Sequence, residues 1–226
     1  MMKPELSVIL PVHNQADHIV GVIEEYLKVF HKKNWEIILV PNASRDNSSQ
    51  ICQKLAKKHK NVRAIENPLG GWGLSVRKGL ENARGRFLCY ANSARTDPNQ
   101  ITELFQKFLE KPDSLAKISR HHRGYFLREM GSLFYNLECR ILLGVTCQDV
   151  NGTPKIFNKD FFERVSLVSN GDLLDAEILA WCSRFQMTVL ELRRGGWSRH
   201  GGKSTTNFKS AVLMYWGAFQ LWLGMK

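Results

Sequence analysis

The sequence predicts an α/β fold in which helices cover both faces of a mostly parallel β-sheet. Apolar runs alternate with amphipathic stretches, beginning with LSVILPV, residues 16–30 and WEIILVP. In residues 16–30 apolar side chains recur at helical spacing, so one face of this helix would be apolar. Apolar runs without polar alternation are typical of strands buried on both faces of a parallel sheet. The order of these first elements indicates a βαβ unit.

The elements that follow continue this alternation. A helix is predicted from about residue 46, a strand at VRAIEN, a helix near residues 73–83 and a strand at RFLCYA. The second half is less regular, with helices predicted over residues 125–143 and 175–185, a turn at VNGTP and a strand at MTVLELR. Ligands of such sheets bind beyond the carboxyl ends of the strands. The segments PVHN, PNASRDNS and ANSARTDP are therefore expected to line one crevice.

Composition limits the possible partners. The 226 residues are enough for one domain with a full core, and 32 Lys and Arg against 21 Asp and Glu give a net charge of +11. This charge favours anionic partners such as phosphates, nucleic acid or an acidic membrane. No nucleic-acid reading motif is recognisable, so nucleic acid is not expected as a partner. Five cysteines without a CxxC pair argue against a disulfide framework or zinc knuckle and indicate a reducing, cytoplasmic compartment.

Six blocks carry the most specific signal because of their order. They are SVILPVHNQADHI, EIILVPNASRDNS, NPLGGWGLSVRKGLENARGRFLCYANSARTDP, QDVNGTPKIF, DAEILAWCSRFQMTVLELRR and SRHGGKST. Together they resemble the family 2 glycosyltransferases, and most closely the dolichol- or polyprenyl-phosphate sugar synthases. The resemblance implies a GT-A fold, a Rossmann-like nucleotide-diphospho-sugar transferase domain, over residues 1–207. Residues 208–226 would then form a C-terminal helix.

The resemblance also implies a binding site for a nucleotide-sugar donor. Its residues would be Pro11, Val12, His13, Asn42, Ser44, Asp46, Ala91, Asn92 and Ser93. Gln15 stands where the family often has an acid, and Pro41 and Asn42 replace two acids that usually open the second block. The Asp-x-Asp metal motif of the family falls on residues 91–93, where neither carboxylate is present.

The sequence therefore predicts catalysis without a metal cofactor. A divalent ion normally neutralises the diphosphate as the leaving group gains charge. Ala91 cannot ligate, Ser93 is neutral and Asp97 alone would hold magnesium poorly, so Mg²⁺ and Mn²⁺ are disfavoured. The guanidinium of Arg95 could grip the phosphates instead, with Arg45 as a second cation. The alternative is that both arginines are solvated loop residues on an inactive site.

The acceptor side of the resemblance is more conventional. The acceptor-binding residues that it implies are Arg120, Arg128, Ser132, Arg199 and Ser204. Basic and hydroxyl groups suit a phosphate, and a lipid phosphate is already anionic and needs no strong general base. Asp149 is expected either to position groups near the sugar or to cap a turn. Glu177 is expected to orient the acceptor or the sugar, or to pair with an arginine.

The C-terminal run NFKSAVLMYWGAFQLWLGMK is apolar on nearly every side apart from Gln220, and its apolar part of about 15 residues is shorter than the roughly 20 that span a bilayer. Its aromatic residues Tyr215, Trp216 and Trp222 favour a helix lying in the membrane interface. A core helix, a dimer contact or half of a helical hairpin are the alternatives.

These observations give a functional hypothesis. The chain would be an inverting, metal-independent glycosyltransferase, peripheral at the inner face of the membrane and possibly a homo-oligomer. It would move a sugar from a nucleotide-diphosphate sugar to a polyprenyl-phosphate-type lipid acceptor, with Arg95, Asp149 and Glu177 in catalytic roles. The alternative is a catalytically inactive glycosyltransferase-like binding or scaffold protein.

Overall fold

A computed structural model describes residues 3–121, 126–195 and 208–225, with all their side chains except those of residues 121, 126–128, 195 and 208–212. The strands are β1 (Leu6–Val12), β2 (Trp35–Pro41), β3 (Val62–Ala64), β4 (Phe87–Tyr90), β5 (Leu115–His121), β6 (Lys155–Asn158) and β7 (Val189–Gly195). The helices are α1 (Ile19–Val29), α2 (Ser48–Lys58), α3 (Trp72–Glu81), α4 (Pro98–Leu109), α5 (Phe126–Leu143), α6 (Lys159–Arg164), α7 (Leu174–Arg184) and α8 (Phe208–Gly224).

The seven strands form one sheet in the order β3-β2-β1-β4-β6-β5-β7. Only β6 runs antiparallel to its neighbours among these strands, which confirms the predicted mostly parallel sheet. Because β4 and β5 both pair with β6 in the antiparallel sense, they point the same way as β1 and β2. The carboxyl ends of β1, β2, β4, β5 and β7 therefore lie at one edge of the sheet, which we call the carboxyl edge.

Two apolar layers hold the sheet between helices. Alternate residues of β1 enter different layers: Ile9 packs with α3, α5, α7 and α8, whereas Val8 and Leu10 pack with α1, α2 and α4. Helix α3 lies close to β1 at Gly79, where an added Cβ would come within 2.3 Å of Ile9 Cγ2. Burial on both faces explains the nearly continuous apolar sequences of β1 and β2, in which the two polar residues bond to each other, Ser7 Oγ donating to Glu36 Oε1 at 2.6 Å.

Four elements were not predicted from the sequence: α4, β5, β6 and α6. Strand β5, LAKISRH, contains Lys117, Ser119 and Arg120, and these polar residues leave too few apolar residues for a clear strand pattern. Strand β6 has only four residues, too few for a clear pattern. Helix α4 begins with Asp97 as its cap and Pro98 in its first turn, which is a recognisable helix start that the reading of ANSARTDP as a loop concealed.

Helix α8 packs one face against the domain. Ala218 and Leu221 are buried in the core layer, and the Tyr215 hydroxyl donates to the carbonyl of Gly131 on α5 at 2.7 Å. The other face of α8 is exposed. None of the helices in the described ranges has the length and apolarity needed to cross a bilayer.

Candidate active site

Hydrogen bonds join the loops that follow β1 and β2. The backbone N–H of Asn14 donates to Ser44 Oγ at 3.1 Å, and the N–H of Arg45 donates to Asn14 Oδ1 at 2.8 Å. The N–H of Gln15 donates to Ser48 Oγ at 2.8 Å, at the start of α2. Asn14 has a φ of 50°, a left-handed conformation that Asn tolerates better than most residues. The first two predicted donor segments therefore form one connected surface.

The loop after β4 joins the same surface through Gln15. Its Nε2 lies 2.9 Å from Ser93 Oγ, which in turn lies 2.8 Å from the carbonyl oxygen of Pro11. Gln15 and Ser93 are both buried. The amide of Gln15 can donate to a hydroxyl, which an ionised acid at this position could not do. Gln15, which stands where the family often has an acid, thus connects the first donor segment to the third through a hydrogen bond.

The donor set at the carboxyl edge does not fit a divalent cation. Ala91 offers no ligand. Ser93 Oγ bonds to the carbonyl oxygen of Pro11, and Asn92 Oδ1 accepts from the N–H of Ala94 at 3.0 Å. Asp97 Oδ1 accepts from the N–H of Asn99 at 2.8 Å and caps α4. Across the described parts of the chain, no group of three His, Cys, Asp or Glu side chains could hold a metal ion. In nucleotide sites Mg²⁺ is usually held by one or two carboxylates together with substrate phosphates and waters, and neither carboxylate is present at residues 91–93.

Two arginines lie on the loops where the acids are missing. Arg95 is half-buried, and its N–H donates to the carbonyl of Asn92 at 3.0 Å, so a tight turn fixes its backbone. Arg45 is exposed on the neighbouring loop after β2. Both loops lie at the carboxyl edge and carry guanidinium groups, which stay charged at any physiological pH. The edge is suited to a phosphate-bearing ligand.

Asp46 has a structural task within this surface. Its Oδ2 accepts from the N–H of Ala16 at 3.0 Å, and its Oδ1 accepts from the N–H and hydroxyl of Ser48 at 3.0 and 2.5 Å. Slight desolvation raises the pKa of Asp46, but the hydrogen bonds from Ser48 and Ala16 outweigh it and lower the pKa overall. Asp46 therefore stays ionised and holds the start of α2 against the first loop.

A buried amide that sequence reasoning missed, Asn67, lies beside the predicted donor residue Asn42, whose carbonyl contacts His13. The His13 ring nitrogen Nδ1 lies 2.6 Å from the carbonyl oxygen of Asn42. The side chain of Asn42 contacts Asn67, whose Nδ2 also lies 2.9 Å from Ser75 Oγ. Asn67 is fully buried, and its Oδ1 has no hydrogen-bond partner among the described residues. Only its place in the block NPLGG could have indicated it.

The acceptor side is built around an ion pair at the end of β5. The Arg120 guanidinium binds Asp149 in a bidentate manner, with Nε to Oδ2 at 2.9 Å and Nη2 to Oδ1 at 3.1 Å. The side chain of Arg120 is 27% exposed, whereas that of Asp149 is 6% exposed. Burial lowers the pKa of Arg120, but Asp149 raises it by more, so the guanidinium stays charged. The structure thus brings two predicted site residues together.

Two buried lysines donate hydrogen bonds to the turn that carries Asp149. Lys117 and Lys155 are register partners on β5 and β6, and both side chains are fully buried. Lys117 Nζ donates to the carbonyl of Asp149 at 2.5 Å, and Lys155 Nζ donates to the carbonyl of Gly152 at 2.9 Å. The turn that carries Asp149 is therefore held at both ends by ammonium groups. The sequence analysis assigned no role to either lysine.

Lys155 also connects this turn to the donor side. It pairs with Asp175 on α7, and the Tyr90 hydroxyl donates to Asp175 Oδ1 at 2.7 Å. Burial and the nearby Asp175 carboxylate raise the pKa of Tyr90, so its hydroxyl stays protonated and can donate. Burial lowers the pKa of Lys155, an effect that Asp175 opposes. Tyr90 directly precedes residues 91–93, so a buried network links the two halves of the site.

Glu191 on β7 completes the network and provides a pH-dependent test. It accepts from the Ser119 hydroxyl, from Lys117 Nζ at 3.3 Å and from the N–H of Gln148 at 3.0 Å. Burial raises the pKa of Glu191, but these partners outweigh it and lower the pKa below its usual value. A carboxylate with a lowered pKa adds stability above its unfolded-state pKa of about 4.3, and this stability is lost as the pH falls through the folded-state pKa.

We expect the variant Glu191→Gln to show a weaker acid dependence of stability than the wild type. Urea unfolding midpoints measured from pH 6 to pH 3 should converge as the pH falls, with the wild type losing more. Parallel curves over this range would contradict the assignment.

Glu177 requires a correction to the expected orienting role. Its carboxylate accepts from the N–H groups of Val168 and Ser169 at 2.7 and 2.9 Å, and the residue is 1% exposed. These two backbone hydrogen bonds satisfy the buried carboxylate of Glu177, and neither of them comes from an arginine. A carboxylate so enclosed is not in a position to touch a sugar or an acceptor.

The remaining predicted acceptor residues are only partly described. Ser132 lies half-exposed on α5, and Arg128 lies on the same helix, where its side chain is outside the described part. Arg199 and Ser204 fall in 196–207, outside the described residues.

Comparison with known proteins decides the family. A sequence profile of glycosyl transferase family 2 matches residues 7–166, more than half of the chain. The chain belongs to glycosyl transferase family 2. This family 2 chain is 30% identical over 218 residues to the dolichyl-phosphate β-glucosyltransferase of Saccharomyces cerevisiae, covering 83% of this chain and 65% of that protein. It is 26% identical over 149 residues to an undecaprenyl-phosphate 4-deoxy-4-formamido-L-arabinose transferase of Shewanella sediminis, covering 64% of this chain and 45% of that protein.

The family 2 chain also matches a solved structure. Glucosyl-3-phosphoglycerate synthase of Mycobacterium tuberculosis, in complex with Mn²⁺, uridine diphosphate and glucosyl-3-phosphoglycerate, aligns with a TM-score of 0.74 and 16% identity over 98% of this chain and 79% of that one. The predicted GT-A fold and the resemblance to the polyprenyl-phosphate branch are confirmed. The chain spans between 27% and 65% of the length of its curated relatives.

Proposed function

We propose that this chain is an inverting glycosyltransferase that moves a sugar from a nucleotide-diphosphate sugar to a polyprenyl-phosphate-type lipid acceptor without a metal ion. The observation that carries the proposal is the carboxyl edge itself. There, loops carrying Arg45 and Arg95 lie where the family has acids, and Arg120 lies on the same edge. Strands β4 and β5 are separated only by β6, so their axes are about 10 Å apart, and β5 continues four residues beyond the level of Tyr90 at the end of β4. In our proposal the diphosphate, the sugar and the acceptor phosphate occupy the space between the donor loops and Arg120.

The reaction would be a single displacement. An oxygen of the acceptor phosphate attacks the anomeric carbon, and the bond from this carbon to the diphosphate oxygen breaks on the opposite side. The leaving diphosphate keeps the electron pair, and Arg95, with Arg45, stabilises the added charge. The attacking oxygen is already anionic, so the step needs no general base. Asp149 orients Arg120 toward the acceptor phosphate by holding two of its donors.

The relatives support the choice of acceptor. Two of them are named for transfer to dolichyl phosphate or undecaprenyl phosphate. A lipid acceptor requires the protein to work at a membrane, and we propose the inner, cytoplasmic face, where it would meet a nucleotide-sugar donor. The net charge of +11 and the apolar sequence of α8 fit a peripheral association.

The direct test is sugar transfer from a panel of radiolabelled UDP-, GDP- and dTDP-sugars to undecaprenyl phosphate and dolichyl phosphate in detergent. A labelled lipid product with inverted anomeric configuration would support the proposal. Donor binding without transfer to any lipid phosphate would favour the alternative, an inactive binding or scaffold protein. The observation that supports this alternative is the absence of the family's acids from the second and third blocks.

The Arg120–Asp149 pair gives a more specific prediction. In the variant Asp149→Asn the guanidinium loses a charged bidentate partner, so we expect the KM for the lipid phosphate to rise about tenfold. The KM for the donor should stay within about twofold, because the predicted donor residues lie on other loops, after β1, β2 and β4. Equal changes in both constants would indicate a general loss of structure rather than loss of acceptor positioning.

A further inference from the structure

We infer that α5 and α8 together form the surface on which the protein docks to an anionic lipid bilayer. This inference rests on the proposed lipid-phosphate acceptor and names the face that would meet the membrane. Twelve large apolar side chains are exposed in the described part of the chain, and eight of them lie on these two helices. The eight, called here the two-helix surface, are Leu133, Phe134, Leu137, Ile141, Leu213, Trp216, Phe219 and Leu223.

The exposed residues of α5 form a stripe along one side of the helix. Leu133, Leu137 and Ile141 are spaced four residues apart and are 60%, 48% and 73% exposed. Tyr135 and Cys139, on another side of the helix, are buried in the core layer. The helix therefore has apolar residues on its outward side as well as its inward side. A helix that only covers a core would show polar residues outward.

Helix α8 repeats this arrangement. Leu213, Trp216 and Leu223 are each more than half exposed, whereas Ala218 and Leu221 are buried. The helix contains a single charged residue, Lys209, and no acid. Its outward side thus offers large apolar groups with no negative charge, a composition typical of helices that lie in a lipid interface.

The two stripes belong to one continuous face because the helices lie side by side in the same direction. Tyr215 contacts α5 near its start, through the carbonyl of Gly131 and the ring of Tyr135. Trp222 and Met225 line a cavity together with Leu142 and Leu143 at the end of α5. At 1.5 Å per residue, each helix is about 25 Å long. The two-helix surface is therefore wide enough to rest on a bilayer without spanning it.

Charge and position favour lipid over a second copy of the chain. Two copies that each carry a net charge of +11 would repel each other, whereas anionic headgroups would attract this charge. Arg140, next to Ile141 on α5, is exposed and adds a positive charge beside this surface, although its Nε and Nη2 also donate to the carbonyl of Cys147 at 3.4 and 3.3 Å. Helix α5 also follows β5, whose end carries Arg120. A lipid phosphate bound there would have its tail beside the two-helix surface.

Vesicle flotation tests the surface without any donor or acceptor. The full chain and three variants are mixed with vesicles of phosphatidylglycerol and phosphatidylethanolamine, and with vesicles of phosphatidylcholine alone. The variants are Leu137→Glu/Ile141→Glu on α5, Leu213→Glu/Leu223→Glu on α8, and Leu109→Glu as a matched control. Leu109 is 44% exposed on α4, on the opposite side of the sheet. Circular dichroism melts check that each variant is folded.

We expect the wild type and Leu109→Glu to float with the anionic vesicles, and each double variant to bind at least about tenfold more weakly. If the α5 variant binds the vesicles as strongly as the wild type does, the two-helix surface is overturned, and α8 by itself is the docking element. The docking proposal would also be overturned if the wild type does not bind vesicles but forms a dimer that is absent in the double variants. That result would assign the two-helix surface to self-association. Because no sugar transfer is measured, docking without transfer would count against the proposed function only.

Discussion

Replacing Arg95 by alanine is expected to reduce the rate of sugar transfer by about two to three orders of magnitude, because one pre-positioned group that stabilises a developing negative charge is worth about this much. Arg95 follows the segment 91–93, where the family's metal carboxylates are absent, and its backbone is fixed by the turn onto Asn92. Steady-state kinetics with the best donor of the panel would measure the effect.

Two further substitutions make this result specific. Arg95→Lys keeps the charge but loses the bidentate geometry, so we expect partial activity, between that of alanine and that of the wild type. Arg84→Ala is the matched control, because Arg84 is exposed just before β4, at the opposite edge of the sheet, and its loss should leave transfer unchanged. Full activity in Arg95→Ala would show that Arg95 does not take the place of the metal.

The largest effect on stability is expected from Asp175→Ala. This change leaves the ammonium group of Lys155 fully buried without its carboxylate partner and leaves Tyr90 without its acceptor. Removing one member of a buried ion pair costs about 3–5 kcal/mol in the free energy of unfolding. Urea unfolding followed by circular dichroism would measure the loss. Glu110→Ala removes an exposed ion pair with Lys107 and should change stability by less than about 1 kcal/mol.

A double variant separates the charge effect from simple packing. Lys155→Met/Asp175→Leu replaces both charges by apolar groups of similar size, so stability should recover, short of about 1–3 kcal/mol for the buried Tyr90 hydroxyl that still lacks its acceptor. The link from Lys155 to the carbonyl of Gly152 would still be missing, and acceptor binding should therefore stay weakened. If the double variant were as unstable as Asp175→Ala, the penalty would come from packing and not from an unpaired charge.

The parallel half of the fold could be predicted because burial on both faces leaves a clear mark in a sequence. Strands β1 and β2 are nearly continuous apolar runs, interrupted only by Ser7 and Glu36, and the donor loops follow from the rule that ligands bind at strand ends. The acceptor half could not be predicted in the same way. Strand β5 contains Lys117 in full burial, and a sequence does not distinguish a paired, buried lysine from a solvated one.

The same limit explains what was missed in the site. The sequence shows that Gln15 stands where the family often has an acid, but only the structure shows its contact with Ser93, 78 residues away. The network of Lys155, Asp175 and Tyr90 joins three elements that are distant in sequence, with no local spacing to reveal it. Glu177 occupies a helix position open to several interpretations, and its two backbone partners follow from how the 168–169 segment folds onto α7.

The most direct test of the central claim is sugar transfer to a polyprenyl phosphate measured with excess chelator and, in parallel, with added Mg²⁺ or Mn²⁺. The carboxyl edge carries two arginines on the loops that lack the family's acids, and Ser93 Oγ, Asn92 Oδ1 and Asp97 Oδ1 each make hydrogen bonds within the protein. Our account predicts equal rates with chelator and with either metal, and a large loss in Arg95→Ala under all three conditions. Transfer that stops in chelator and returns with Mg²⁺ or Mn²⁺ would contradict it.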